Sequence, residues 1–105
     1  MRRGEIWWAE LPRPVGRRPV VLVSRDEAYE VRRNVAVVEV TTVIRGLATE
    51  VLLGQHGGLP RRCVANADVI NTIDKSLLQN RVGALSGERK NRLDDALRFA
   101  LALQT

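Results

Sequence analysis

Residues 35–43 read VAVVEVTTV, and seven of the nine are β-branched, so this stretch is a strand and most of it is buried. Working outward from it, Arg45 and Gly46 make a turn, and ATEVLLG (48–54) is the expected hairpin partner. QHGGLPRR (55–62) carries two glycines and a proline and reads as a loop. CVANADVINTI (63–73) alternates apolar and polar at most positions and reads as a further strand with an irregular end. A short helical turn is expected around Lys75–Gln79, and a small strand at Val82–Leu85. Toward the N-terminus, RDEAYEVRR (25–33) is a polar connector, and PVVLVS (19–24) is short and apolar enough for a buried strand. PRPVGRR (12–18) is a loop with two prolines and a glycine, and GEIWWAEL (4–11) is a first strand that Pro12 ends.

The period changes at the C-terminus. Ser86 is a good N-cap, and Glu88 in the first turn suits the helix dipole. Leu93, Ala96, Leu97, Ala100, Leu101 and Leu103 then recur at the 3–4 spacing of an amphipathic helix. The fold class is therefore α+β: a small antiparallel β structure closed by a C-terminal helix. A chain of 105 residues supports one domain, spanning 1–105, with a thin margin of stability. No run of 18 apolar residues occurs, and charge interrupts MRRGEIWWAELP too early for a signal peptide, so a soluble, cytoplasmic protein is expected, with no membrane partner.

Scarcity limits the chemistry. One cysteine, Cys63, leaves no internal disulfide and fits a reducing compartment. One histidine, His56, excludes a two-histidine ribonuclease mechanism, and with one cysteine it leaves too few ligands for a tetrahedral zinc site. The expectation is no metal and no cofactor, with chemistry resting on Arg, Asp, Glu, Thr and Ser. Fifteen arginines against two lysines give a net charge of +5, most of it in residues 1–62, the electrostatic footprint of a nucleic-acid binder.

Four features stand above that background. Arg18 precedes Pro19 where a loop enters a buried strand, which sets its guanidinium at the rim of the sheet. Thr41 and Thr42 end the strongest strand, and Arg45 follows them. Asp68 lies in an otherwise apolar strand, where an unpaired carboxylate would be costly. Trp7 and Trp8 are two of only four aromatic residues and read as core filling.

The opening RRGEIWWAELP, the strands RRPVVLVSRD and VAVVEVTT, and DVINTIDKSLLQNRVGALS before the helix occur in this order over nearly the whole chain. Together they resemble the MazF/PemK (Kid) toxins, the mRNA interferases of bacterial toxin–antitoxin systems. The resemblance implies an SH3-like (PemK/CcdB-type) antiparallel β-barrel with a C-terminal helix, and a homodimer whose groove takes single-stranded RNA. It implies metal-free attack of a ribose 2′-OH on the adjacent phosphate, leaving a cyclic phosphate and a 5′-OH. It also implies a cognate acidic, MazE-like antitoxin.

Carried over by position, the catalytic arginine is Arg18, and the catalytic Ser/Thr is Thr41 with Thr42 beside it. Asp68 stands four residues before TID, where PemK-like members hold a catalytic acid. Two departures bear on the general base. The first loop, PRPVGRRP, is short and has no acid or histidine, and Asn66 stands where PemK-like members carry an arginine. Asp68 is then the candidate base, with Glu30 or Asp26 behind it. Arg13, Arg17, Arg25 and Arg45 are the expected electrostatic track for RNA, joined by Thr42. The rival readings within the same fold are a non-catalytic, CcdB-like poison of DNA gyrase and an RNA-binding module without activity.

Overall fold

A computed structural model describes residues 1–104. Its strands are β1 (Glu5–Glu10), β2 (Arg17–Leu22), β3 (Asn34–Thr41), β4 (Glu50–Leu52), β5 (Val64–Asp74) and β6 (Leu78–Ala84). Two helices join them, α1 (Ala28–Val31) and α2 (Gly87–Ala100), and a single 3-10 turn at Lys75–Leu77 precedes β6. The six strands form one antiparallel sheet in the order β4-β5-β3-β2-β1-β6. The class is α+β, as the periodicities require.

The expected barrel is not closed by hydrogen bonds: among the described residues β4 and β6 are the two edges and do not pair. Other groups bridge the gap. Arg89 of α2 donates through Nε to the Leu52 carbonyl at 3.1 Å, and His56 packs against Gly83 of β6 so closely that a Cβ there would lie 2.7 Å from Nδ1. Only glycine fits at that contact.

Three sequence expectations are corrected. The segment at 48–54 does not form a hairpin with β3; β4 pairs with β5, which lies between them. Glu50 gives the reason: its carboxylate accepts from the backbone amides of Arg45, Gly46 and Leu47, so the connection is held as a wide turn that carries β4 past its neighbour. The polar connector contains the helical turn α1, which buries Ala28 and Tyr29; the Tyr29 hydroxyl accepts from the Ser24 amide and donates to the Ala36 carbonyl. The last strand begins at Leu78, four residues before the expected start.

Each face of the sheet carries a core. One gathers Ile6, Val21, Val38, Ala65 and Leu85 under Leu93 and Ala96 of α2. The helix starts where expected, with the Ser86 hydroxyl accepting from the Arg89 amide at 3.2 Å. The other gathers Val20, Leu22, Val35, Val37 and Ile73, covered by Leu11, Ala28 and Tyr29. That cover stops short. Beyond Val37 the alternation of β3 brings Glu39 and Thr41 to the same face, and both lie on cavities rather than under a helix. Among the described residues, no helix is long and apolar enough to cross a membrane.

Candidate functional site

Pro19 shapes the open end of the second face. It has no N–H to give, and the β2–β3 ladder runs only from Val20↔Glu39 to Leu22↔Val37. Extending that register by two residues sets Arg18 opposite Thr41, just past the last pair, with no ladder bond drawing the backbones together. The two strands part there, and cavities open on either side of the Arg18–Thr41 pair.

One cavity, of about 180 Å³, is lined by Arg18, Glu39, Thr41, Val43, Arg45 and Asn66, with Val69. A second, of about 260 Å³, shares Arg18 and Thr41 and adds Trp8, Arg17, Thr42 and Cys63. A third, of about 250 Å³, lies on the other side of Glu39, between Leu11, Pro12, Val15 and Asn71. The first two cavities share Arg18 and Thr41, and the first and third share Glu39.

Arg18 is 37% exposed at its side chain, and Nη1 donates to Glu39 Oε1 at 3.1 Å. The other guanidinium donors make no hydrogen bond among the described residues, so a planar fork remains for an incoming anion. Thr41 Oγ1 accepts from the Val43 amide at 3.1 Å, which leaves its hydroxyl proton to donate elsewhere. Arg17 sits 4.3 Å above the ring centre of Trp8 and donates through Nε to Gln79 Oε1 at 3.1 Å. Cys63 is buried, donates to the Pro60 carbonyl at 3.5 Å, and has its pKa raised by burial, so it stays a thiol.

The expected residues therefore divide. Arg18, Thr41, Arg17, Thr42 and Arg45 meet around adjoining cavities. Arg13 is exposed in the β1–β2 loop. Arg25 lies past the opposite end of β2 from Arg18, a strand's length away, and does not belong to this cluster. Asp68 is also placed elsewhere. The β3–β5 register shifts after Val38, so that Ile70 pairs with Val38 but Asn66 with Glu39, and residues 67–69 form a bulge. The bulge exposes Asp68, and its Oδ2 accepts from the buried Thr49 hydroxyl at 2.7 Å. The costly buried carboxylate expected at Asp68 is at Glu39 instead, 9% exposed at its side chain. Asp26 accepts from the Arg3 amide at 2.6 Å and Glu30 is exposed on α1; neither lines a cavity with Arg18.

One residue went unread in the sequence, and a second was misread. Glu39 stands two positions before Thr41, and the period of a strand puts both on one face. Trp8 is half-buried on the cavity wall rather than in the core, whereas Trp7 packs against the second core and donates through Nε1 to Glu5 at 3.0 Å. Burial alone would raise the Glu5 pKa, but donors from Trp7, the Arg2 amide and Arg81 outweigh it and hold the carboxyl below its ordinary value. Among the described residues, no three His, Cys, Asp or Glu side chains gather closely enough to hold a metal ion.

A basic α+β sheet with an Arg/Thr pair just past the last paired residues of two strands defines the class of protein: a small α+β domain with a concave, cation-lined site at one end of its sheet. The profile of the PemK-like, MazF-like toxins of type II toxin–antitoxin systems matches residues 2–101. The chain is 42% identical over 100 residues to the probable endoribonuclease MazF5 of Mycobacterium tuberculosis, covering 94% of this chain and 91% of that one. With the probable endoribonuclease MazF2 of the same species it shares 36% identity over 99 residues, 93% and 95% of the two chains. The solved Mycobacterium tuberculosis toxin MazF-mt6 superposes with a TM-score of 0.87 at 32% identity, covering 96% and 99%. A mycobacterial endoribonuclease solved with its cognate antitoxin superposes at 0.86 and 28% identity, covering all of this chain and 98% of that one. The chain belongs to the PemK-like, MazF-like toxin family, and by enzyme class to that family's endoribonucleases.

Proposed function

We propose that this toxin cleaves single-stranded RNA by attack of a ribose 2′-hydroxyl on the adjacent phosphate, without a metal ion. The observation that carries the reading is that the Arg18 fork and the Thr41 side chain line the same two cavities. A phosphate bridging them takes up the free guanidinium donors on two of its oxygens, and the Thr41 hydroxyl fixes a third. Charge that develops on the five-coordinate phosphorus is then met by donors already in place. Arg18 binds and stabilises; it does not act as a base, because a guanidinium holds its proton too tightly. Asp68 belongs to the scaffold on this reading, since its carboxylate holds Thr49 at the bulge.

Trp8 and Arg17 wall the larger cavity, which suits an unstacked base lying against an aromatic face, as in single-strand recognition. Arg45, Arg17 and Arg13 supply the salt-sensitive attraction to the backbone. The toxin acts in the cytoplasm as a homodimer: exposed Val43, Leu47, Leu52 and Val69, around the edge strand β4 and the β5 bulge, give a second copy apolar surface to cover. An acidic antitoxin segment that orders on binding fits the same arginine-lined surface and would exclude RNA from it.

Incubating the purified protein with a long RNA in EDTA tests the reading. Discrete fragments carrying 2′,3′-cyclic phosphate and 5′-hydroxyl ends are expected. Intact RNA, or fragments with 5′-phosphate ends, would overturn it.

A further inference from the structure

The cleavage needs a proton acceptor for the 2′-hydroxyl, and the geometry around Arg18 offers one group. Glu39 is the carboxylate that Arg18 touches, through Nη1 and Oε1 at 3.1 Å. Its Oε2 accepts from Asn71 Nδ2, across the β3–β5 pair. A carboxylate offers about four lone-pair sites, so two such bonds leave capacity for another donor. Glu39 lines the cavities on both of its sides, one of which also holds Arg18, Thr41 and Arg45. Asp68 lines none of the three cavities around this cluster, and its Oδ2 accepts from the Thr49 hydroxyl.

We propose that Glu39 is the catalytic base of this site, accepting the 2′-hydroxyl proton, with Asn71 as its positioning residue. The proposal rests on the reading of Arg18 and Thr41 as phosphate ligands. One guanidinium then bridges the two partners of the reaction: Nη1 holds the base, and the remaining donors hold the phosphate. The proton passes from O2′ to Glu39 as the O2′–P bond forms. The P–O5′ bond breaks, the departing O5′ takes a proton from water, and Glu39 returns its own to solvent. No proton is gained or lost overall.

The charges suit the task. The charged groups facing Glu39 are Arg18 on β2 and Arg45 after β3; β5 presents the neutral Asn66 and Asn71, and the β1–β2 loop presents apolar Leu11, Pro12 and Val15. Arg18 pairs directly with the buried carboxylate.

The test is the pH–rate profile of Glu39→Gln, Glu39→Asp and Asn71→Ala under single-turnover conditions with saturating RNA. Glu39→Gln should lose on the order of 10²–10⁴ in rate at neutral pH. Its rate should then climb about tenfold per pH unit, as hydroxide replaces the missing base, while the wild type levels off. Glu39→Asp keeps the acceptor on a shorter stem and should retain the levelling at reduced rate. Asn71→Ala should lose about tenfold with the profile unchanged in shape, since one hydrogen bond to the carboxylate is removed. RNA affinity and urea midpoints, measured on the same preparations, separate chemistry from folding. Glu39→Gln within threefold of wild type, or lowered equally at every pH, would overturn the assignment. A wild type that cuts no RNA would instead overturn the nuclease reading beneath it.

Discussion

The two faces of the sheet differ in how far their apolar cover extends. Under α2 the packing is apolar throughout, from Val21 and Val38 to Leu93 and Ala96. On the opposite face the same strands start apolar, with Leu22, Val35 and Val37 under Tyr29, then turn polar at Glu39 and Thr41 where no helix covers them. On the proposed reading β3 serves both purposes along its eight residues: its covered part holds the fold, and its uncovered end holds the chemistry. A carboxylate buried at such an end is costly unless paired, and Arg18 and Asn71 supply the pairing.

Substitutions on the two faces should therefore fail in different ways. Leu93→Ala should remove about 2–5 kcal/mol of stability, by lost burial and a residual cavity, while folded molecules keep normal turnover. Urea unfolding read beside single-turnover cleavage checks it, and a turnover defect with unchanged stability would erase the division of labour. Trp8→Ala, on the cavity wall, should do the reverse. Loss of about 1–3 kcal/mol of stacking would weaken RNA binding with little change in the urea midpoint, as fluorescence anisotropy at fixed salt would show.

The smallest effect is expected away from the three cavities, at Asp74 on the end of β5. The Ser76 amide first, and then Arg33, hold its carboxyl down at about 2 against an ordinary 3.8. A depressed pKa means that the folded state favours the carboxylate, so the contribution is full above about 3.8 and is lost as pH falls toward 2. Asp74→Asn should be slightly less stable than wild type at neutral pH, and melts across a pH series should show the gap closing between about 4 and 2. A gap that stays constant across that range would mean that the pair contributes nothing through its charge.

Most of the fold was legible because it rests on periodicity. The 3–4 spacing after Ser86 marks α2, and the β-branched runs mark β2 and β3. The placement of Arg18 and Thr41 at strand ends was legible in the sequence, and the break at Pro19 leaves both beside the same two cavities. The costly buried carboxylate was expected on the wrong strand. Asp68 and Glu39 both interrupt apolar strands, but a register shift that no pattern encodes exposes the first and leaves the second buried. The pairing of β4 escaped for a similar reason: what steers it is Glu50 gathering three amides of its own turn.

The central claim is that the uncovered end of the second face is the cleaving centre, with Arg18 gripping the reacting phosphate. Arg18→Lys tests it most directly, with Arg17→Lys as the neighbouring control. Lysine keeps the charge but replaces a planar fork with a single mobile donor group. Single-turnover cleavage by Arg18→Lys should fall on the order of 10²–10³, with RNA affinity at low salt changed far less. Arg17→Lys should stay within about threefold, since lysine still places a cation near Trp8. A fully active Arg18→Lys protein, or an equal loss at Arg17, would place the chemistry elsewhere.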